Sequence, residues 1–332
     1  MLRPVSSPLH VPGLAETDAA LDDLLVLHDV SAAGLRRVAL ERLLGFALAG
    51  VCQGRLTLTS GTPIPTSDVV TASTIYFQPF RGRWTALFDG TRWKLHDLTA
   101  GVAKTLSGLT SNRPHDVFLF DDAGTLTLAF AAWTNDATRA TALATQDGVL
   151  VQSGNPTRRY LGSFFTTSAA TTEDSARNRY LVNANNAVPR QLFTCPAYNN
   201  NNANTSYTHT STTFAEWNGG THARVNWLVP VDGGYAEVLL HGFGDSPASA
   251  VLVFGMGWDS ATTARIACQG GNVGATRVEV GGRFGECQAA GRHFAAGLAL
   301  VGSGTATIYA DLARFGGTTD PYATFLHGWI MG

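Results

Sequence analysis

Arg83-Trp84-Thr85-Ala86-Leu87-Phe88-Asp89-Gly90-Thr91-Arg92-Trp93-Lys94-Leu95-His96 decides the fold. Two short runs in which apolar residues tend to alternate with polar or small ones flank an Asp-Gly pair, the usual signature of a β-hairpin. Such alternation is expected where one sheet face is buried and the other is wet. The same grammar continues on both sides. Upstream lie Arg55-Leu56-Thr57-Leu58-Thr59 and Ser73-Thr74-Ile75-Tyr76-Phe77. Downstream, Asp116-Val117-Phe118-Leu119-Phe120 and Thr125-Leu126-Thr127-Leu128-Ala129-Phe130 flank a second turn pair, Ala123-Gly124. Residues 54–162 therefore read as a β meander, with nothing that looks like a reaction centre.

The same residues carry a resemblance. Residues 54–63, 75–80 and 86–93 resemble a module of tail-fibre and other virion proteins of tailed bacteriophages, as do Ser107-Gly108-Leu109 and residues 116–124. The resemblance continues in order through 133–139, Gln146-Asp147-Gly148-Val149 and Arg158-Arg159-Tyr160-Leu161-Gly162. It runs on more loosely through 172–175 to Asn186-Ala187-Val188-Pro189-Arg190. It covers about two fifths of the chain and implies a structural module with no active site to carry over.

Composition sets bounds. The 332 residues are enough for two domains, each able to bury a core without disulfide staples. Charged residues make up only 14 %, and 36 glycines suit many tight turns. A formal charge of −2 gives no electrostatic support for nucleic-acid binding. No run reaches the roughly 18 apolar residues that span a bilayer, and the first residues lack the apolar core of a signal peptide. Cys52, Cys195, Cys268 and Cys287 are too dispersed for a metal motif. Reduced thiols are expected, with a Cys268–Cys287 bridge as the alternative.

Ahead of the meander, Leu24–Asp29 reads as a strand, 30–34 as a turn, and 35–40 as a second strand or the approach to a helix. Residues 41–49 have helical spacing. This leader resembles one found before phage fibre shafts, which implies a virion-attachment or trimer-nucleating role for Leu25, Leu27, Leu35, Val38, Leu43 and Leu44. The alternative is a small cap on the next domain. After the meander, the asparagine-rich stretch 196–206 reads as a linker. Seven strands follow over 223–229, 235–241, 249–254, 264–268, 276–280, 297–301 and 306–310. Turns are read at 232–234, 270–272, 281–282 and 302–304. That spacing predicts a sandwich or jelly roll. The end, 322–332, is apolar and reads as a closing strand or a subunit interface.

The expected architecture is thus all-β. It has a small β/α attachment element (1–53), a β-meander or sandwich module (54–195), the linker (196–206) and a jelly-roll-like C-terminal sandwich (207–332).

Motifs for chemistry are sparse. Phe243-Gly244-Asp245-Ser246 resembles the nucleophile block of GDS-type esterases, and Gly270-Gly271-Asn272 could imitate their second donor. The acid–base pair is missing, because Ala323 stands where Asp320 would need a histidine three residues on, and His327 is seven away. A serine without a base is not activated. The nine histidines show no metal-ligand spacing, and no phosphate or dinucleotide loop is present. Asp121-Asp122 and Glu173-Asp174 are adjacent in strands and so face opposite ways. They read as turns, with a calcium loop as the alternative. No cofactor or metal is expected, and an enzyme only as a secondary possibility, a glycan depolymerase or esterase.

Among the tryptophans, Trp84, Trp93 and Trp227 fall inside strand patterns and read as core. Trp217 beside Asn218, and Trp258 beside Asp259, sit in turn-like sequence where an exposed ring and a hydrogen-bonding neighbour would suit a sugar. A half-buried loop aromatic is the competing reading. Taken with the resemblance, the expectation is a non-enzymatic, homotrimeric tail-fibre or tail-tip protein of the virion. It would bind other virion proteins through its N-terminal element and host-surface glycan through its sandwich, with no membrane insertion. A head fibre, a capsid decoration protein or a purely architectural tail component is the alternative.

Overall fold

The computed structural model describes residues 24–29, 34–39, 48–195, 206–217, 223–246, 250–269, 277–309 and 324–332. Within them nearly all of the regular secondary structure is β-strand.

At the N-terminal end, β1 (Leu24–Asp29) and β2 (Gly34–Ala39) form an antiparallel hairpin. Leu25 stands opposite Val38, and His28 opposite Leu35. This matches the strand reading of 24–29 and the strand alternative for 35–40, and residues 30–33, read as a turn, lie outside the described residues. Leu43 and Leu44, named for attachment, lie outside the described residues. Leu48 and Ala49 are helical and pack against Ala86, Trp93 and Val151.

The first β body holds β3 (Gly54–Thr57), β4 (Val69–Ala72), β5 (Thr74–Pro79), β6 (Trp84–Phe88), β7 (Trp93–Asp97) and β8 (Val102–Thr105). It continues with β9 (Pro114–Asp122), β10 (Thr125–Ala132), β11 (Leu143–Gln146) and β12 (Val149–Gln152). It ends with β13 (Asn155–Ser168), β14 (Thr171–Asp174), β15 (Asn178–Arg179) and β16 (Leu181–Asn183). Both hairpins form. Between β6 and β7 the Asp89 carboxylate accepts from the amides of Thr91 (2.8 Å) and Arg92 (2.9 Å). Between β9 and β10, Ala123 and Gly124 both take positive φ, 50° and 94°, the geometry of a two-residue hairpin turn matched to strand twist. The order is not a simple meander, however. β5 pairs with both β3 and β8, and the β6–β7 hairpin is an excursion between them. The hub is the 14-residue β13, which pairs with β9, β12, β14 and β16. Its register against β9 shifts at Gly162, where a Cβ would meet the Val182 carbonyl oxygen at 2.1 Å. Only glycine fits that bulge.

The second body is a sandwich. Its strands are β17 (Pro189–Thr194), β18 (Ser206–His209), β19 (Ala215–Glu216), β20 (Arg224–Val229), β21 (Gly234–Asp245) and β22 (Leu252–Trp258). They continue with β23 (Ala264–Gln269), β24 (Arg277–Gln288), β25 (Gly291–Val301), β26 (Ala306–Tyr309) and β27 (Phe325–Met331). One layer runs β20-β25-β22-β23. The other runs β17-β27-β21-β26-β18, with β24 also on β21. Between them lies a core that includes Trp227, Leu252, Phe254 and Met256 from one layer, and Val238, Leu240, Ile308 and Leu326 from the other. Burying these faces is what holds the layers together.

Two features were not legible beforehand. Gly281 and Gly282 are not a turn. They lie inside β24, paired with His241 and Leu240. A Cβ on Gly282 would sit 2.7 Å from Ile266 Cδ1, so glycine here permits a close approach between the two layers. Second, the two bodies share strand pairing. β15 of the first body runs parallel to β20 of the second, while β17, read from sequence with the middle module, pairs with β27 from Pro189 opposite Met331 to Thr194 opposite Leu326.

Candidate functional site

Trp217 lies just past β19 and is fully buried, at 0 % exposure. Its Nε1 donates to the Leu298 carbonyl at 2.9 Å, and its ring covers Gly297, where a Cβ would meet ring carbons at 2.5 Å. The expected exposed sugar platform is therefore corrected to a core residue. Local composition looked loop-like, but the indole fills a space that the missing side chain of Gly297 leaves open. Asn218 is outside the described residues. Trp258 is half-buried in an aromatic group, 5.1 Å from Trp227 and edge-on to Phe284 at 5.0 Å, and its Nε1 is buried without a partner. Asp259 is exposed with φ 52°, and its carboxylate is engaged by His293 Nδ1 (2.8 Å) and the Phe294 amide (2.9 Å). Burial disfavours a charged His293, but the Asp259 carboxylate and the Ala289 carbonyl outweigh it and raise its pKa. Trp217 and Trp258 thus face the interior rather than a shared binding surface.

The other chemical candidates are held by local partners. Ser246 is buried and its Oγ donates to the Ala250 carbonyl, while Asp245 accepts from Tyr309 Oη at 2.5 Å. Asn272 and Asp320 are outside the described residues. Asp121 accepts from the Gly124 amide at 2.7 Å as part of its hairpin turn. Glu173 faces Ser175 and Asn178, whereas Asp174 turns the other way to Arg179 (3.1 Å) and Arg190 (2.6 Å). The opposite facing expected of neighbours in a strand is what separates them. Cys268 Sγ donates to the Gly281 carbonyl, and Cys268 and Cys287 are not bonded to each other.

Three charged nodes were not visible in the sequence. Asp116, buried, accepts from Trp133 Nε1 (2.9 Å), Ser163 Oγ (2.7 Å) and Arg139 Nε (2.8 Å). Asp174 holds its two arginines beside buried Arg55, which burial and the nearby Arg190 charge push down to about 10. Arg159, also buried, turns Nη1 to the carbonyls of Ala49, Val51 and Ala86, and burial lowers its pKa. It borders a cavity of about 260 Å³ beside Gly50, Leu150 and Asn185. Most of their contacts join residues far apart in sequence, from Asp116 to Ser163 and from Arg159 to Ala49 and Ala86, so local patterns do not reveal them.

The surface feature that stands out is the outer face of the β17-β27-β21-β24 layer. Tyr235 (49 % exposed) and Leu239 (38 %) on β21 lie beside Trp329 (48 %) and Met331 (51 %) on β27. In register, Glu237 stands opposite Trp329 and Leu239 opposite His327, so these side chains share one face. Arg283 lies 3.6 Å from Glu237, and His241 Nε2 lies 3.0 Å from Glu279. Burial lowers the pKa of His327, which packs edge-on to Trp329.

No family model matches the chain, and no curated protein matches it. Solved structures give loose likenesses. The Eiger TNF of S. frugiperda is 10 % identical over 44 % of this chain and 93 % of that one, with a TM-score of 0.26. An insecticidal delta-endotoxin of Bacillus thuringiensis is 8 % identical over 95 % of this chain and 60 % of its own, at 0.25. The structure of infectious bursal disease virus, Gx strain, is 11 % identical over 80 % and 74 %, at 0.23. At such scores they carry no argument about function.

Proposed function

We propose that the chain is a non-enzymatic structural component of a tailed-bacteriophage virion, a homotrimeric tail-fibre or tail-tip protein attached by its N-terminal hairpin region. The observation that carries this reading is where the residues of the resemblance sit. Asp89, Gly90 and Gly124 build turns. Trp93 is bound through Nε1 to Asp147 at 2.9 Å, and Asn186 donates to the carbonyls of Cys52 and Gly54. Trp133 and Arg139 close on Asp116, and Arg190 on Asp174. Each holds backbone or core, as befits a module whose role is its shape, and they do not converge on a cleft. Host-surface recognition by the sandwich stays part of the reading through its position beyond the module. With Trp217 buried, it no longer has the aromatic pair as its platform.

The test is particle composition. Purified phage particles should contain the chain by mass spectrometry, and antibody against residues 207–332 should label tails. Particles that lack it would sink the virion reading, and labelling confined to heads would move it to a head fibre or decoration protein.

A further inference from the structure

We infer that the outer face of the β17-β27-β21-β24 layer is where copies of this chain meet one another. The inference deepens the virion reading and rests on it for the expectation of a multimer.

Six large apolar side chains are markedly exposed among the described residues, and four of them, Tyr235, Leu239, Trp329 and Met331, share this face. Scattered exposed apolar residues need no explanation, but a contiguous patch on one sheet does. β21 and β24 are each 12 residues long, β27 is 7 and β17 is 6. At about 3.4 Å per residue and about 4.8 Å between strands, the flat footprint is on the order of 600 Å². Side-chain relief brings this close to the roughly 800 Å² that each partner contributes to a standard interface.

Charge argues for a like partner. Glu237 lies 3.6 Å from Arg283 of the same chain, and Glu279 is hydrogen-bonded to His241 at 3.0 Å. His327 is held toward its neutral form by burial. Copies of this face packed around a common axis therefore bring together a largely apolar centre, with Glu237 and Arg283 already paired within each chain. Tryptophan, tyrosine and methionine are also the residue types enriched in interface centres.

The experiment uses the full chain. Light scattering at micromolar concentration should give a multiple of the 35.1 kDa chain mass. Leu239→Glu with Trp329→Glu should return it to one chain, while Val70→Glu, on an exposed apolar residue of β4, should leave the multimer intact. Because the double variant could misfold, hydroxyl-radical footprinting of the wild-type multimer provides an independent readout. Trp329 and Met331 should be protected at least several-fold relative to the same protein diluted to single chains. A wild-type monomer at about 100 µM, or a multimer in which both residues oxidise freely, would overturn the inference. Absence from particles with the multimer intact would sink the virion reading alone.

Discussion

Asp116 Oδ2 and Arg139 Nε lie 2.8 Å apart, with the carboxylate buried and the guanidinium 4.2 Å from the centre of the Trp133 ring. Arg139 also donates through Nη2 to the carbonyl of Pro230, which follows β20 in the second body. One ion pair inside the first body thus reaches into the sandwich. Arg292 of β25 crosses in the other direction, to Asp136 at 3.4 Å and to Tyr180 Oη at 3.4 Å.

Removing one partner of such a pair should be expensive, since the other is left charged and dry. Asp116→Ala is expected to lose about 3–5 kcal/mol of stability, measured by urea unfolding. Arg139→Met should cost less than Asp116→Ala, because Trp133 Nε1 and Ser163 Oγ still satisfy the carboxylate. The double variant should fall short of the sum of the singles, the sign of direct coupling. Strict additivity would mean that the contact contributes nothing of its own.

The fit of Trp217 over Gly297 gives a second test. Trp217→Ala should lose about 3–5 kcal/mol through the cavity it leaves. Gly297→Ala should lose about 1–3 kcal/mol, because the added methyl has nowhere to go. If Trp217→Ala instead unfolds like the wild type, the indole is not part of the core.

These two sites also mark what sequence could and could not reveal. The β6–β7 and β9–β10 hairpins were legible because a turn pair and its flanking alternation are local. Gly281 and Gly282 were misread for the same reason. A glycine pair signals a turn by local chemistry, and only the facing Ile266 and Cys268 explain it as a close approach. Trp217 was misread because the sequence around it is loop-like, whereas its burial is decided by Gly297, eighty residues away. The Asp116 node had no signature, since its partners Trp133, Arg139 and Ser163 lie 17, 23 and 47 residues further along the chain. The exposed β27 face was half legible. The apolar tail was visible, but its union with Tyr235 and Leu239 depends on the register between β27 and β21.

Asp174 sits between Arg179 and Arg190, with Arg55 close enough to feel its charge. Cations outnumber the carboxylate, so the acid should matter most. Asp174→Ala is expected to destabilise by at least about 3 kcal/mol, because two nearly buried guanidinium groups lose their counter-charge. Arg190→Met should cost clearly less, since Arg179 remains on Asp174. Equal midpoint shifts in chemical denaturation would contradict this ordering.

Buried histidines set the pH dependence near neutrality. His115 stacks on Phe164 at 5.2 Å and His209 Nε2 faces the Ala299 carbonyl at 2.9 Å. Burial holds both pKa values below the ordinary 6.5, despite a carbonyl hydrogen bond that opposes it in each case. Between the lowered folded value and 6.5 the unfolded chain therefore binds more protons, and stability falls as pH drops through that window. His293 has the opposite sign. Its two ring nitrogens face Asp259 and Ala289, acceptors suited to an imidazolium, and its pKa is raised. Its contribution is complete below 6.5 and is lost as pH rises through the raised folded value. Unfolding midpoints between about pH 5.5 and 7.5 should separate the two effects. His115→Gln and His209→Gln should reduce the acid-side loss, leaving the share of His96 and His327, which burial also lowers, while His293→Gln should remove a decline on the alkaline side. An acid-side slope left unchanged by both substitutions would assign the loss to other groups.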